Sequence, residues 1–303
     1  MRTRYLLTTI VVPALWLTTT TDARPAPQAA TTSSSVATTT TNPTNPTSSA
    51  SAVAPSVPID VGFYNATAGG GSFLTLARNS GGLGEPLNVV ISNTSDRLLM
   101  TDEGFIDYMW SVQMSEEFLG QSLGARQAAN LGDGQGQHNQ TGILRYNFYD
   151  RYYGTVRQSI NGGNHVRYWR QNGTDADTGA WFLAVSVEMS AADNHMIVPN
   201  GYDSGRDQLV GNATMSNGTI SPITNRTFST TVDFLQGYLE PGTNGVNHAI
   251  PIDGRLAMLT VKVTNNGSAA TLESGASFVS ATTNVIKATL WSVVGAAAVS
   301  MLL

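Results

Sequence analysis

Two neighbouring stretches, His165–Gln171 (HVRYWRQ) and Ala180–Glu188 (AWFLAVSVE), decide the fold of this 303-residue chain. Both are rich in β-branched and aromatic residues, and a polar segment, Gly173–Gly179, separates them. This pattern predicts two strands joined by a turn. Because antiparallel strands can be joined by a short connection, we expect the two to pair as a hairpin.

Working outward from the hairpin, Leu87–Ser92 (LNVVIS) predicts a short buried strand. Thr101 is suited to cap a helix that places Phe105, Met109 and Val112 on one face. The remaining predicted elements are a loop at Gly120–Gln140, a helix at Asp203–Ala213 and strands at Arg145–Tyr149, Thr227–Leu235 and Leu256–Thr264. The expected class is α+β, with mixed α/β as the alternative: one globular domain with a mostly antiparallel sheet and two or three short helices.

The N-terminal residues 1–23 have the pattern of a secretory signal peptide. Arg2 and Arg4 supply a positive charge, Tyr5–Leu17 is an apolar run, and small residues follow near Ala23. The run is too short to span a bilayer, so cleavage is expected, with an uncleaved membrane anchor as the alternative.

The C-terminal residues 266–303 resemble the signal for a glycosylphosphatidylinositol (GPI) anchor. Small residues at Ser274–Ala276 precede a polar spacer and an apolar tail, Ala288–Leu303. Ser274 is the expected attachment residue, Asn266 is the second choice, and a short tail anchor is the alternative.

The mature chain is expected to have two further parts. Residues 24–58, rich in Thr, Ser and Pro, predict a disordered stalk, and residues 59–265 form the expected globular body.

Composition narrows the possible functions. The chain has no cysteine, which excludes disulfides, zinc–cysteine sites and thiol nucleophiles. It carries 16 basic and 21 acidic residues with no basic stripe, so nucleic acid is a poor partner. Asn-x-Ser/Thr sequons predict surface N-glycosylation. These sequons lie at Asn65, Asn93, Asn139, Asn172, Asn212, Asn217, Asn225 and Asn266.

The chain contains the sequence motifs of two classes of hydrolase, but the residues around these motifs do not fit either class. Ser122 lies in a G-x-S-x-G motif, yet a helical pattern rather than a buried strand precedes it. Asp177 and Asp203 begin D-T-G and D-S-G motifs, but they lack the apolar flanks that an aspartic protease needs. A turn and a helix cap explain these two aspartates better.

The more informative candidates are His165, Arg167, His195, Arg206 and Asp207. His165, Arg167 and Trp169 alternate, so a strand would point all three to one face. If these residues converge, two imidazoles, two guanidinium groups and a carboxylate suffice for metal binding or for acid–base catalysis on an anionic substrate. The alternative is structural: an Arg167–Asp207 salt bridge, with His165 and Trp169 covering a sheet edge. We predict no cofactor and no resident metal.

A family resemblance covers roughly Glu85 to Val210. The segments EPLNVVIS, NHVRYWRQNG, GAWFLAVSVEM and HMIVPNGYDSGRDQLV together resemble the LssY C-terminal-like domain. The family's H-x-R-x-W strand falls on His165, Arg167 and Trp169, its histidine segment on His195, and its D-x-x-R-D helix start on Asp203, Arg206 and Asp207. Asn194 stands where the family's first paired histidine would be.

The stalk, the anchor signal and the body also resemble a group of secreted fungal proteins. The lipid-phosphatase elements that are fused to some LssY members have no counterpart in this chain.

The sequence leaves two possible functions. One is a non-enzymatic binding or structural glycoprotein on the cell surface or wall, with wall polysaccharide or a surface ligand as partner and a lipid anchor in the membrane. The other is an extracellular hydrolase or lyase that uses His165, His195 and Asp207, with Arg167 and Arg206 holding an anionic group.

Overall fold

The computed structural model describes residues 61–116 and 125–267. The predicted signal peptide, the stalk, Ser122 and the anchor residue Ser274 lie outside the described residues. Within the described ranges, every helix is too short or too polar to cross a membrane.

The described chain forms three helices and ten strands. The helices are α1 (Asp102–Ser111), α2 (Gly154–Asn161) and α3 (Gly201–Ala213). The strands are β1 (Val89–Ile91), β2 (Met114–Ser115), β3 (Ala128–Ala129), β4 (His138–Asn139), β5 (Gly142–Tyr146), β6 (Gly163–Asn172), β7 (Asp177–Glu188), β8 (Thr219–Ile220), β9 (Thr227–Leu235) and β10 (Leu256–Asn265).

Eight of these strands form one sheet in the order β2-β5-β6-β7-β1-β10-β9-β8, and β3 and β4 form a separate ribbon. The predicted hairpin is confirmed as β6 and β7, which pair antiparallel along most of their length. The short strand β1 pairs antiparallel with β7 and parallel with β10, so it joins the two halves of the sheet. The expected mostly antiparallel α and β arrangement is confirmed, and its sheet is larger than predicted.

Apolar residues fill a core on each face of the sheet, because alternate residues of a strand point to opposite faces. On one face, α1 and the second half of α3 pack against Val166, Tyr168 and Trp181. On the other face, loop residues such as Phe63 and Phe73 pack with Trp169 and Phe182. Burial on both faces explains why the β1 and β7 sequences read as nearly continuous apolar runs.

The predicted cap of α1 is confirmed. The Thr101 hydroxyl accepts a hydrogen bond from the Gly104 amide at 3.1 Å, which satisfies one of the free N–H groups at the helix start. Phe105, Met109 and Val112 are buried together, as the helical spacing predicted. Helix α1 thus begins where the sequence placed it and covers the apolar face of β6.

Two local predictions were wrong, and one helix was missed. The predicted Gly120–Gln140 loop contains the β3–β4 ribbon. The strand predicted at Arg145–Tyr149 ends at Tyr146, because Phe148 and Tyr149 adopt positive φ angles that a strand does not allow. Helix α2 was not predicted, since its sequence, GTVRQSIN, is only 8 residues long and no side chain caps its start.

The sequon asparagines fall into two groups. Those at 139, 172, 217, 225 and 266 are exposed, whereas Asn65, Asn93 and Asn212 are half-buried. Asn212 lies on α3, and its side-chain amide approaches the Val112 carbonyl at 3.4 Å. A glycan on this nitrogen would have to displace that contact.

Candidate functional site

A cavity of about 320 Å³ lies over the face of β5, β6 and β7 opposite to α1. Loop residues before β1, around the β3–β4 ribbon and after β7 complete its walls. The lining residues used below are Arg78, Glu85, Gln127, Arg145, Arg167, Glu188 and His195. This volume is at the small end of the range for small-molecule sites.

The strand register places the polar residues of the site on one face. Arg145 on β5 lies opposite His165 on β6, and His165 lies opposite Ser186 on β7. Directly opposed residues share a face, and so do residues two apart on one strand. The predicted alternation of His165, Arg167 and Trp169 is therefore confirmed.

Glu188, at the end of β7, is the central carboxylate. Its Oε2 accepts hydrogen bonds from Arg145 Nη1 at 2.8 Å and from Gln158 Nε2 at 3.3 Å, and Gln158 also accepts from Arg145. Burial alone would raise the pKa of Glu188, but the neighbouring His165, the charge of Arg145 and the hydrogen bonds from Arg145 and Gln158 together lower it. Glu188 is thus a buried carboxylate with its charge balanced by Arg145.

His165 is buried beside Glu188 rather than in the cavity wall. Its Nδ1 lies 3.7 Å from Glu188 Oε1, and only 1% of its surface is exposed. Burial lowers the pKa of His165 to about 3, because the charged imidazolium would lose its hydration; the nearby Glu188 offsets only part of this. At neutral pH, His165 is therefore a neutral imidazole.

Arg167 and Glu85 form a second buried pair. Arg167 Nε lies 3.6 Å from Glu85 Oε2, while Arg167 Nη1 donates to Gln140 at 2.9 Å. Gln127 donates to the other oxygen of Glu85 at 2.7 Å, and Gln127 in turn accepts the Thr75 hydroxyl. These contacts fix the orientation of both charged groups.

His195 reaches the cavity from the loop after β7. A hydrogen bond from the Met189 amide to the Met196 carbonyl holds this loop against the strand, and His195 has a positive φ of 53°. Its Nδ1 lies 3.6 Å from Glu188 Oε2, and its side chain is 35% exposed. His195 is thus an accessible imidazole beside a buried carboxylate.

Several buried polar atoms of the site have no hydrogen-bond partner among the described residues. Buried polar groups in folded proteins are nearly always hydrogen-bonded, so a cluster of exceptions needs an explanation. The atoms are Glu85 Oε2, both nitrogens of His165, Arg167 Nε, His195 Nδ1 and the Tyr202 hydroxyl. Burial and the neighbouring Glu85 raise the pKa of Tyr202, so its hydroxyl stays protonated.

The structure separates Arg206 and Asp207 from this site, since neither lines the cavity. Arg206 donates to Asp253 at 2.6 and 2.8 Å, to Asp207 at 2.8 Å and to Asp203 at 3.5 Å. The Arg206 guanidinium is buried and surrounded by carboxylates. Through Asp253 it connects α3 to the segment before β10. The structure therefore does not bring Arg206 and Asp207 together with the histidines, as the enzyme hypothesis required.

The structural alternative was also wrong in its details. Arg167 pairs with Glu85 and Gln140 rather than with Asp207. Trp169 belongs to the second core and β6 is an interior strand, so neither Trp169 nor His165 covers a sheet edge. Glu188 takes the place that the sequence had suggested for Asp207.

Sequence reasoning missed Arg145, Glu188 and Glu85. Glu188 could have been found, because it continues the alternation of Ala184 and Ser186 on the polar face of its strand. Glu85 could not, since a loop rather than a strand brings it to Arg167. No group of three His, Asp or Glu residues in the described ranges has the arrangement of a metal site.

Comparisons with family models, with curated proteins and with solved structures gave no match to this chain. The resemblance to the LssY C-terminal-like domain therefore stays a prediction.

Proposed function

We propose that this protein is an exported surface glycoprotein whose body binds a small anionic ligand in the cavity over β5–β7. The observation that carries the proposal is the charge of the cavity wall, which contains three arginines and two glutamates. Each buried arginine has a buried carboxylate beside it: Glu188 beside Arg145, and Glu85 beside Arg167. Arg167 Nε nevertheless makes no hydrogen bond, because Glu85 lies 3.6 Å away. Arg78 is exposed and adds a positive charge at the cavity mouth.

Buried cationic groups in a small cavity favour an anion, because the attraction between charges is stronger where water is scarce. Arg167 is already oriented by Gln140, so binding would not require it to lose much side-chain freedom. A carboxylate or a phosphate group would supply the acceptor that Arg167 Nε lacks.

The test is calorimetric titration of the purified protein with cyclohexanecarboxylate and phenyl phosphate, with cyclohexanol as the neutral control. We expect the anions to bind and cyclohexanol not to bind. Arg167→Gln should weaken anion binding at least about tenfold, since a charged hydrogen bond is lost. Arg170→Gln is the matched control, because Arg170 lies on the same strand and faces the other side.

If Arg167→Gln unfolds, Arg78→Gln provides a second test on an exposed residue. Equal binding of cyclohexanol and of the anions would refute the proposal. Unchanged anion affinity in folded Arg167→Gln would do the same.

A second candidate function is acid–base catalysis by His195. The specific observation is the His195–Glu188 pair, in which an accessible imidazole lies 3.6 Å from a buried carboxylate. Such pairs orient a histidine for proton transfer, and the hydrogen bond often tightens only when substrate is bound. The protein would then be a hydrolase or lyase acting on the anionic ligand.

This second candidate is tested by assaying phosphate esters for hydrolysis and acidic polysaccharides for unsaturated, ultraviolet-absorbing products. His195→Gln should abolish any turnover, whereas His138→Gln, on β4 and outside the cavity lining, should retain it. Turnover that survives His195→Gln would rule out this role.

The surface location is part of the proposal. The signal-like residues 1–23, the stalk, the sequons and the anchor-like residues 266–303 support a GPI-anchored protein on the plasma membrane or in the cell wall. Phosphatidylinositol-specific phospholipase should release the protein from membranes. Protein that stays bound after this treatment would contradict the lipid anchor.

A further inference from the structure

We infer that the ligand of this cavity is an acidic sugar, a pyranose ring that carries a carboxylate and several hydroxyl groups. This inference rests on the proposed anion site and names its substrate class. It comes from the acceptors in the cavity wall, which a simple anion would leave without a partner.

The first step is the pairing of an unused donor with an unused acceptor. Arg167 Nε and Glu85 Oε2 are both buried without a hydrogen bond, and they lie 3.6 Å apart. A simple anion on Arg167 would satisfy the donor but would be repelled by Glu85 and leave its oxygen unpaired. A ligand with a carboxylate next to a hydroxyl satisfies both, because the hydroxyl can donate to Glu85.

The second step is the fixed orientation of Glu85. Gln127 donates to Glu85 Oε1 at 2.7 Å, and Thr75 donates to Gln127 at 2.6 Å. All three side chains are buried, so Glu85 cannot turn toward water. Its Oε2 is therefore a preorganised acceptor for a ligand hydroxyl.

The third step is the distribution of polar and apolar groups. Glu188 and His195 provide further polar groups at the β7 side of the cavity, and Asn247 and His248 lie at its wall too. Apolar side chains of the same cavity come from Ala77, Ala125, Met196 and Ile197. Hydroxyl groups around a ring, together with its C–H surfaces, match this mixture better than the two adjacent charges of a free amino acid.

The experiment compares three probes by calorimetric titration at one pH and salt concentration: glucuronate, cyclohexanecarboxylate and glucose. Glucuronate has the carboxylate and the hydroxyls, and each other probe lacks one of these features. We expect glucuronate to bind at least about tenfold more tightly than either, because each charged hydrogen bond contributes at this level.

The outcomes separate the two proposals. Equal affinity for glucuronate and cyclohexanecarboxylate would overturn the acidic sugar and keep the anion site. Equal affinity for glucuronate and glucose, or no binding of either carboxylate, would overturn both. Adding serine as a fourth probe tests the amino-acid alternative, and tighter binding of serine than of glucuronate would also overturn the acidic sugar.

A variant links the selectivity to Glu85. Glu85→Gln should reduce glucuronate affinity about tenfold without weakening cyclohexanecarboxylate, because only the hydroxyl contact is lost. Glu103→Gln, at an exposed position on α1, is the matched control and should bind both probes as the natural protein does. A folded Glu85→Gln variant with unchanged preference for glucuronate would refute the role of Glu85 in recognising the sugar.

Discussion

The buried neutral His165 should make the stability of this protein depend on pH in a defined window. Its pKa is about 3 in the folded state against an ordinary value of 6.5. The unfolded chain therefore binds a proton between these values and the folded chain does not, so stability falls as pH decreases through this range. For this single group, the free energy of unfolding should fall by about 2 kcal/mol between about pH 7 and about pH 5.

The variant His165→Gln removes the titrating group and keeps a neutral side chain that can donate to Glu188. Urea unfolding at several pH values gives the free energy of unfolding for both proteins. We expect the loss between about pH 7 and about pH 5 to be about 2 kcal/mol smaller in the variant, whatever its absolute stability. In the natural protein, the lowered pKa of Glu188 keeps this carboxylate ionised over the same range.

The control is His248→Gln, which makes the same substitution at an exposed histidine instead of a buried one. If His165→Gln loses as much stability on acidification as the natural protein does, His165 is not held neutral, and the described burial does not govern its protonation.

Three further changes have defined outcomes. Gly205→Ala should cost about 2 kcal/mol in urea unfolding, because the new methyl group would lie 2.7 Å from the β7 backbone. Gly211→Ala, on the same helix with open space around it, should instead stabilise the protein by about 1 kcal/mol. Asp107→Asn should cost about 3 kcal/mol or more in the same assay, because it leaves Arg226 buried without a counter-charge. Glycopeptide mass spectrometry should find Asn212 less occupied than the exposed sequons, since its side-chain nitrogen contacts the end of α1; full occupancy would contradict this.

The sequence predicted those parts of the fold that local chemistry determines. The alternation in β6 and the apolar run in β7 specify a two-sided buried hairpin. The hydroxyl of Thr101 sets the start of α1. Helix α2 escaped prediction because no side chain caps its start, which depends instead on the close approach of the preceding loop: a Cβ atom at Gly154 would lie 1.6 Å from the Asn147 carbonyl oxygen.

The candidate site was predictable only in part, for a similar reason. His165 and Arg167 share a face because they are two apart on a strand, which a sequence reveals. The partners of charged residues are not revealed in this way. Asp207 is adjacent to Arg206 in the chain, yet the bidentate partner of Arg206 is Asp253, brought near by the approach to β10.

The central position of β1 has a consequence for how the chain folds. Val89 pairs with Ala257, roughly 170 residues later, so the two halves of the sheet cannot join until nearly the whole body has been synthesised. Until then, the edge of β1 that β10 will cover is unpaired and open to association with other chains. We expect slow folding that is completed only after β10 has been synthesised, and a dependence on chaperones that shield unpaired strands during that interval.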